Sequence, residues 1–490
     1  VNLAASPAAA ILERRPRTAA LVNLGCKVNQ AELAMAADAL RAAGVEMVTP
    51  DQAADLYLVN TCAVTTVAEA KSRAAVRRAR RANPEATVVV TGCSVQVSRQ
   101  AYASLDPRAI LVDNAAKEGF LRDLAAFLEA DRAGTLLHRP LPTLSGADPV
   151  GGEEGSAVPE RTRAFVKVQD GCSFFCTYCI IPRARGPERS RPPEAVLADV
   201  ERAVAAGRRE VVLTGVNLGT YDGGASVRGR RGAHAWSALT LAGLVERILA
   251  ETPIERLRLS SIEPQHVDDE LLAVWRAGAP RTLPHFHLPL QSGDDGILRR
   301  MGRRYDSGFY ARLVDRIRGV LPEAAIHADV MTGFPGEDEA AHQRTLALVD
   351  GLDLAGLHVF RYSPRPGTAA IRMVGAVDEG TKRRRAGELL ALADRLRRRF
   401  AARQVGRQLE VLLEARLADG RWIGHAENYV GVVVAAPGEL ENVIARVAVE
   451  GPDPDVPERV TGRMVELVAP PAARGGGAAP ALAGRAQGGG

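Results

Sequence analysis

The sequence predicts a three-part α/β chain: an N-terminal parallel α/β domain, a partial barrel of six strand–helix units, and a small C-terminal β-barrel. Three observations predict it. Short apolar runs alternate with helical patterns over residues 18–131, the mark of a parallel sheet with helices on its faces. Six further strand patterns, most separated by helical ones, occupy 160–380 and suit an incomplete eight-stranded barrel. Residues 408–468 alternate apolar and polar side chains between Gly and Asp turns, as a small β-barrel does. A length of 490 residues itself calls for several domains.

In the first domain, strands are expected over 19–24, 56–60, 86–91 and 110–112. Helices are expected over 29–43, from the second strand to Ala82, and over 115–130. Residues 132–159 are Pro/Gly-rich and weakly patterned, which reads as a linker. The central domain offers strands over 164–168, 211–214, 256–260, 285–290, 326–331 and 356–362. Helices over 193–206, 241–251, 306–319 and 339–348 separate most of them. A basic connecting helix is expected within 381–407, and the Ala/Gly/Pro-rich tail, 469–490, reads as disordered.

An apolar fraction of 46% and a charged fraction of 25% are those of a globular protein. No apolar run approaches the roughly 18–20 residues that span a bilayer. The N-terminal stretch lacks the order of a signal peptide. The expectation is therefore a cytoplasmic protein without membrane attachment. The net charge of +5 permits a polyanionic partner without requiring one. Basic residues cluster at Lys71–Arg81, with six cations and no acid, and at Thr381–Arg407, with ten cations against two acids. Such stripes attract phosphates, although solvated helix faces in an Arg-rich chain look the same. Residues 408–468 run the other way, with eleven acids against five arginines.

Six cysteines in so long a chain do not suggest a disulfide framework. Cys172, Cys176 and Cys179 share one loop after the first barrel strand, in Cys-x3-Cys-x2-Cys spacing. Three such thiolates can hold three irons of a [4Fe–4S] cube and leave the fourth open to an outside ligand. A zinc site would want a fourth ligand, and no nearby Cys or His supplies one. Cys26, Cys62 and Cys93 are far apart in sequence, yet each follows an expected strand of the first domain. Ligands of open parallel sheets bind at the carboxyl ends of strands, so these three could meet at a second cluster. The alternative is that they are buried small hydrophobes.

The sequence Cys172-x3-Cys176-x2-Cys179, with Tyr178 before the last cysteine, resembles the signature of radical S-adenosylmethionine (SAM) enzymes. Leu24-Gly25-Cys26-Lys27-Val28-Asn29-Gln30, Asn60-Thr61-Cys62-Ala63-Val64-Thr65 and Thr91-Gly92-Cys93 resemble the N-terminal domain of methylthiotransferases. Gly424-His425-Ala426-Glu427-Asn428-Tyr429 is similar to the RNA-binding TRAM module of that family. The resemblance spans residues 18–468 and implies two [4Fe–4S] clusters: Cys172, Cys176 and Cys179 bind the one that cleaves SAM, and Cys26, Cys62 and Cys93 bind an auxiliary one that carries sulfur. It implies SAM contacts among Tyr178, Thr214, Gly215, Asn217, Ser260, Glu263, Gln291 and Gly333. Thr214-Gly215-Val216-Asn217 replaces the Gly-Gly-Glu of many radical SAM proteins, and Ser260, Gln291 and their neighbours also suit turns and caps. His285 and His287 share strand parity and could face the barrel interior, where a satisfied core histidine is expected rather than a metal ligand.

The resemblance further implies a tRNA anticodon loop as partner and an electron donor such as flavodoxin or ferredoxin. The motifs Leu24–Gln30, Arg258–Pro264 and His285–Gly293 look most like the branch that methylthiolates threonylcarbamoyladenosine at tRNA position 37. An isopentenyladenosine substrate is the alternative, followed by a ribosomal-protein aspartate. An iron–sulfur RNA-binding module without enzymatic activity is the non-catalytic alternative.

Overall fold

The computed structural model describes residues 16–117, 119–121, 162–224 and 239–469. The N-terminal sheet holds β1 (Thr18–Asn23), β2 (Glu46–Val48), β3 (Leu56–Thr61), β4 (Thr87–Gly92) and β5 (Ile110–Val112), all parallel, in the order β2-β1-β3-β4-β5. The connecting helices are α1 (Lys27–Ala42), α2 (Thr66–Ala82) and α3 (Cys93–Leu105). Strand parity divides the core between the two faces. Leu21, Leu56, Leu58 and Val89 pack with Leu33, Ala36 and Leu40 of α1, whereas Val22, Tyr57, Val59, Val88 and Val90 pack with Val76 and Ala79 of α2. Two elements escaped the sequence pattern. The edge strand β2 is three residues long, and α3 is broken by a non-helical backbone at Ser98. Residues 122–130 of the expected closing helix, the linker and residues 470–490 lie outside the described residues; β18, introduced below, runs on to Ala469.

The central domain begins with β6 (Arg163–Lys167), followed by a two-residue hairpin, β7 (Gln169–Asp170) and β8 (Arg189–Ser190), which brackets a loop carrying α4 (Ile181–Arg185). After α5 (Pro193–Ala205) come β9 (Glu210–Thr214), α6 (Leu241–Glu251), β10 (Arg256–Leu259), α7 (Asp269–Ala277) and β11 (His285–His287). The units close with α8 (Asp295–Met301), α9 (Ser307–Val320), β12 (Ala325–Thr332), α10 (Glu339–Gly351), β13 (Gly356–Arg361) and α11 (Glu379–Ala402). Helices α7 to α11 each start at an aspartate (Asp268, Asp294, Asp306, Asp338, Asp378) whose carboxylate accepts a first-turn amide, which fixes where each loop ends. Two parallel three-stranded ladders, β6-β9-β10 and β11-β12-β13, are joined by single bridges at Leu257–Thr282 and Ser261–His287. The result is the expected six-stranded partial barrel, open between β6 and β13.

The N-terminal domain covers that opening. Helix α1 lies against β6, while α2 reaches the loop after β13, where Arg365 donates to Glu69 at 2.7 Å and Ser363 meets Thr66 at 3.0 Å.

Residues 408–469 form a closed barrel of β14 (Gln408–Arg416), β15 (Trp422–Ala426), β16 (Gly431–Val434), β17 (Val443–Pro452) and β18 (Val460–Ala469), in the order β14-β15-β16-β18-β17. It docks on β9 and β10 through buried charge. Glu210 accepts from Arg256 at 2.9 Å and from Arg258 at 2.7 Å, and the two guanidinium groups donate onward to the carbonyls of Glu410, His425, Ala426 and Glu427. Burial opposes the Glu210 charge, but Arg258 and Arg256 hold its carboxyl at about 2. Its stabilisation is therefore full above the ordinary carboxylate range and lost as pH falls through about 2. Glu210→Gln should cost about 2–3 kcal/mol, read as a lowered thermal midpoint, because two guanidinium groups lose their counter-charge. An unchanged midpoint would remove this docking role.

Several cations of the basic helix α11 are paired within the molecule. Arg385 is buried against Glu337 at 2.7 Å, Arg384 pairs with Glu339 and Glu388, Arg399 and Arg403 with Asp353, and Arg407, just past it, with Glu323. Many cations of this stripe thus have acidic partners, while Arg383, Arg395 and Arg398 stay exposed on the same helix. On α2, Arg77, Arg78 and Arg81 stay exposed. Among the described residues no helix is long and apolar enough to cross a membrane.

Candidate active site

The dispersed cysteines come together because β1, β3 and β4 are neighbours and end at one edge of the sheet. Cys26 precedes α1, Cys62 follows β3, and Cys93 opens α3. Close approach at this edge depends on two glycines with positive φ. A side chain at Gly92 (φ +102°) would meet the Thr61 carbonyl at 2.4 Å, and one at Gly25 (φ +137°) would lie 3.2 Å from Cβ of Cys62. Cys62 and Cys93 are buried and Cys26 is exposed, and the three thiols lie within electrostatic range of one another. Burial pushes the Cys62 thiol up to about 12.

The close trio sits on the loop between β7 and β8. Gly171 is required by its positive φ and by the Pro187 carbonyl, 2.0 Å from where a Cβ would stand, and Phe175 takes a left-handed backbone between the first two cysteines. Backbone bonds from Cys172 to Gly186 (3.0 Å) and from Cys179 to Cys176 (2.9 Å) fold the loop. Polar N–H groups aim at sulfur: Phe174 N at 3.5 Å and Asn217 Nδ2 at 3.8 Å from Cys172, and Arg303 Nη1 at 3.6 Å from Cys176. Burial raises Cys172 to about 11 and Cys179 to about 12, so both are protonated until a metal displaces the proton.

One side chain reaches from the close trio's loop to the dispersed trio. Arg185, six residues after Cys179, donates from Nε to Sγ of Cys93 at 3.3 Å, from Nη1 to Glu32 (3.0 Å) and Asp170 (2.9 Å), and from Nη2 to Asn29 (2.6 Å). Lys117 and Lys167 complete a buried network on Glu32, at 2.8 and 3.3 Å. Burial works against the Glu32 charge, yet Lys117, Arg185 and Lys167 hold its carboxyl well below the usual range. Beside it, Ala63, Cys93, Ile180 and Ala184 form one apolar cluster across the domain joint. The sequence reading missed Arg185, Glu32, Lys117, Lys167 and Arg303. A signal for Glu32 existed: it occupies a core-facing position in the α1 stripe Val28, Leu33, Ala36, Leu40.

The remaining candidates surround the close trio unevenly. Gln169 holds Asn217 by its main chain (2.8 Å), and Gly215 lies against the Gln169 side chain. Buried Oδ1 of Asn217 and Oγ of Ser260 have no partner, as polar groups facing a ligand site would lack one before the ligand arrives. Arg303 binds the Glu263 carboxylate and reaches the Tyr178 hydroxyl at 3.4 Å. Thr214 is buried at the end of β9, Gln291 adopts φ +68°, and Gly333 lies against the stem of Lys382. In the lumen His287 is satisfied as expected, by Ser261 (3.1 Å) and Asp329 (2.8 Å); Nδ1 of His285 is not.

The donor sets discriminate between metals. Among the described residues, the only three possible ligand atoms within 4.8 Å of one another belong to His287, Asp329 and His358, so neither cysteine trio is drawn together around a single ion. Thiolates around a cube of iron and sulfur stand farther apart than those around one zinc. Both trios are all-thiol, the donor type that holds iron–sulfur clusters, and N–H donors of the kind that tune cluster sulfurs lie beside Cys172, Cys176 and Cys93.

Residues 18–113 match the Uncharacterized protein family UPF0004, and residues 166–349 match the Radical SAM superfamily. The chain is 35% identical to the threonylcarbamoyladenosine tRNA methylthiotransferase of Bacillus subtilis (strain 168), over 88% of this chain and 93% of that protein. It is 36% identical to the protein of the same name from Thermotoga maritima, over 84% and 90%. It is 34% identical to the tRNA-2-methylthio-N(6)-dimethylallyladenosine synthase of Maricaulis maris, over 87% and 93%.

Proposed function

Since this chain belongs to the radical SAM tRNA methylthiotransferases, enzymes that use SAM and [4Fe–4S] clusters, we propose that it methylthiolates C2 of N6-threonylcarbamoyladenosine at position 37 of tRNA. SAM serves as methyl donor and as radical source in this reading. The observation that carries it is the Arg185 bridge, which brings a cluster-type thiol loop and a second thiol trio to the same domain joint.

Cys172, Cys176 and Cys179 would hold the cluster whose open iron binds SAM and supplies the electron that cleaves it; Cys26, Cys62 and Cys93 would hold the cluster that supplies sulfur. The protein's own part is to bind and to orient. Asn217 and Ser260 would offer their unpartnered polar atoms to SAM, and Tyr178, Thr214, Gly215, Glu263, Gln291 and Gly333 would complete its site. Arg303 fixes the Glu263 carboxylate beside Cys176, and Arg185 fixes Cys93 against the barrel. The N-terminal domain covers the barrel opening and so places the dispersed trio's sheet edge over the lumen.

Identity does not separate the threonylcarbamoyl from the isopentenyl branch, since relatives of both kinds lie at 34–36%. The motif resemblance at 24–30, 258–264 and 285–293 favours the first. Nucleoside mass spectrometry of tRNA from cells with and without the gene tests it. The expected result is loss of the methylthio form of threonylcarbamoyladenosine with accumulation of its precursor. Loss of the isopentenyl counterpart instead would overturn the branch and keep the chemistry.

A further inference from the structure

One cation of the N-terminal domain, at the start of the helix packed on β6, lies within electrostatic reach of the barrel lumen. Lys27 follows Cys26 and is the first residue of α1, whose first turn carries no acid. A helix N-terminus disfavours a positive charge, so this position gains nothing from its own helix. The Lys27 side chain is half-buried and lies within electrostatic reach of Tyr429, Arg163, Arg258, Asp329, His285 and His327. These residues come from β6, β10, β11, β12 and the C-terminal barrel, so the ammonium lies near the lumen on the side that the N-terminal domain covers.

The acids around it are already engaged. Glu210 serves Arg256 and Arg258, Glu414 pairs with Arg163 at 3.0 Å, and Asp329 is shared by His287 (2.8 Å) and His358 (3.3 Å). Among the described residues Lys27 has no hydrogen bond or ion pair. Two buried polar atoms beside it, Nδ1 of His285 and Nδ1 of His327, also lack a partner, with the two rings 5.1 Å apart. Tyr429 stacks on His285 at 4.5 Å, and its own backbone is left-handed (φ +71°), an arrangement held by its surroundings rather than by local preference. A cation and two imidazole nitrogens without partners, among acids already engaged, suit an anionic ligand.

We infer that Lys27 binds the carboxylate of the substrate's N6-threonylcarbamoyl group, the feature an isopentenyl group lacks, and so sets substrate choice. The inference rests on the methylthiotransferase reading and deepens it. Position supports it: the same helix start carries Cys26 and Lys27, so a base held by its N6 substituent at Lys27 stays beside the dispersed trio. Lys27 acts here as a specificity residue and takes no part in bond making.

The test uses full-length, cluster-loaded enzyme and three anticodon stem–loops, bearing threonylcarbamoyladenosine, its methyl ester, and isopentenyladenosine. Two quantities are read: dissociation constants without SAM, and kcat/KM for methylthiolation. Wild type should prefer acid over ester by about 10- to 100-fold in both, the scale of one charged hydrogen bond. Lys27→Met and the near-isosteric Lys27→Gln should bring the ratio toward one, and Lys27→Arg should keep most of it. Indifference of wild type to esterification, or an undiminished ratio in Lys27→Met and Lys27→Gln, would overturn the role of Lys27 while leaving the enzyme a threonylcarbamoyladenosine methylthiotransferase. Modification of the isopentenyl loop alone would overturn the branch reading and this inference with it.

Discussion

Replacing any one of Cys172, Cys176 or Cys179 with alanine should abolish both reductive SAM cleavage and methylthiolation. Replacing Cys26, Cys62 or Cys93 should abolish methylthiolation and leave SAM cleavage measurable. The contrast follows from where each trio sits. The close trio lies on a barrel loop whose fold is set by its own backbone bonds and by Asn217, Arg303 and Glu188, none of which belongs to the N-terminal domain. The dispersed trio depends on the strand ends of a separate sheet. A loss of at least about 10³-fold is expected when a cluster loses one of its three thiolates, because the open-iron geometry depends on all of them. Counting 5′-deoxyadenosine and methylthio-nucleoside by mass spectrometry in the same reactions, with iron content per chain, separates the two outcomes. Full methylthiolation by a variant lacking Cys26, Cys62 and Cys93 would sink the assignment of the second cluster.

What could be read from the sequence follows how local the physics is. Cys172, Cys176 and Cys179 were legible because one loop holds them. Cys26, Cys62 and Cys93 were legible as strand-end residues, since a parallel sheet aligns its strand ends on one edge. That β1, β3 and β4 are direct neighbours was not legible, because strand order depends on packing between residues far apart in sequence. Charge shows the same limit. The cations of α11 and Arg407 could be counted, but their partners Glu337, Glu339, Asp353 and Glu323 come from earlier elements of the barrel. The acidity of the C-terminal barrel, puzzling in a module expected near RNA, is partly explained by Glu414, which pairs with Arg163 of the central barrel.

Arg185→Met should be the most destabilising single substitution outside the hydrophobic core, by about 3–5 kcal/mol, because it leaves a buried carboxylate pair short of its shared cation. The side chain is almost wholly buried and satisfies Glu32, Asp170, Asn29 and Cys93 at once, which a fork of five donors can do and an ammonium cannot. Arg185→Lys should therefore recover little. The pH dependence carries the signature. Burial opposes the charges of Glu32 and Asp170, yet Lys117, Arg185 and Lys167 around Glu32, and Lys167 and Arg185 around Asp170, hold both carboxyls below the usual range. Their stabilisation is full above the ordinary carboxylate pKa of about 4, and is lost as pH falls through the depressed folded-state values. Without Arg185 those values rise, so the variant should begin losing stability at a higher pH than wild type. Denaturant midpoints measured from pH 3 to 8 would show this, and parallel profiles would refute the network's role. Because the same guanidinium joins the domains, the variant that loosens Cys93 should also lose methylthiolation faster than SAM cleavage, ordering the two activities by their dependence on the joint.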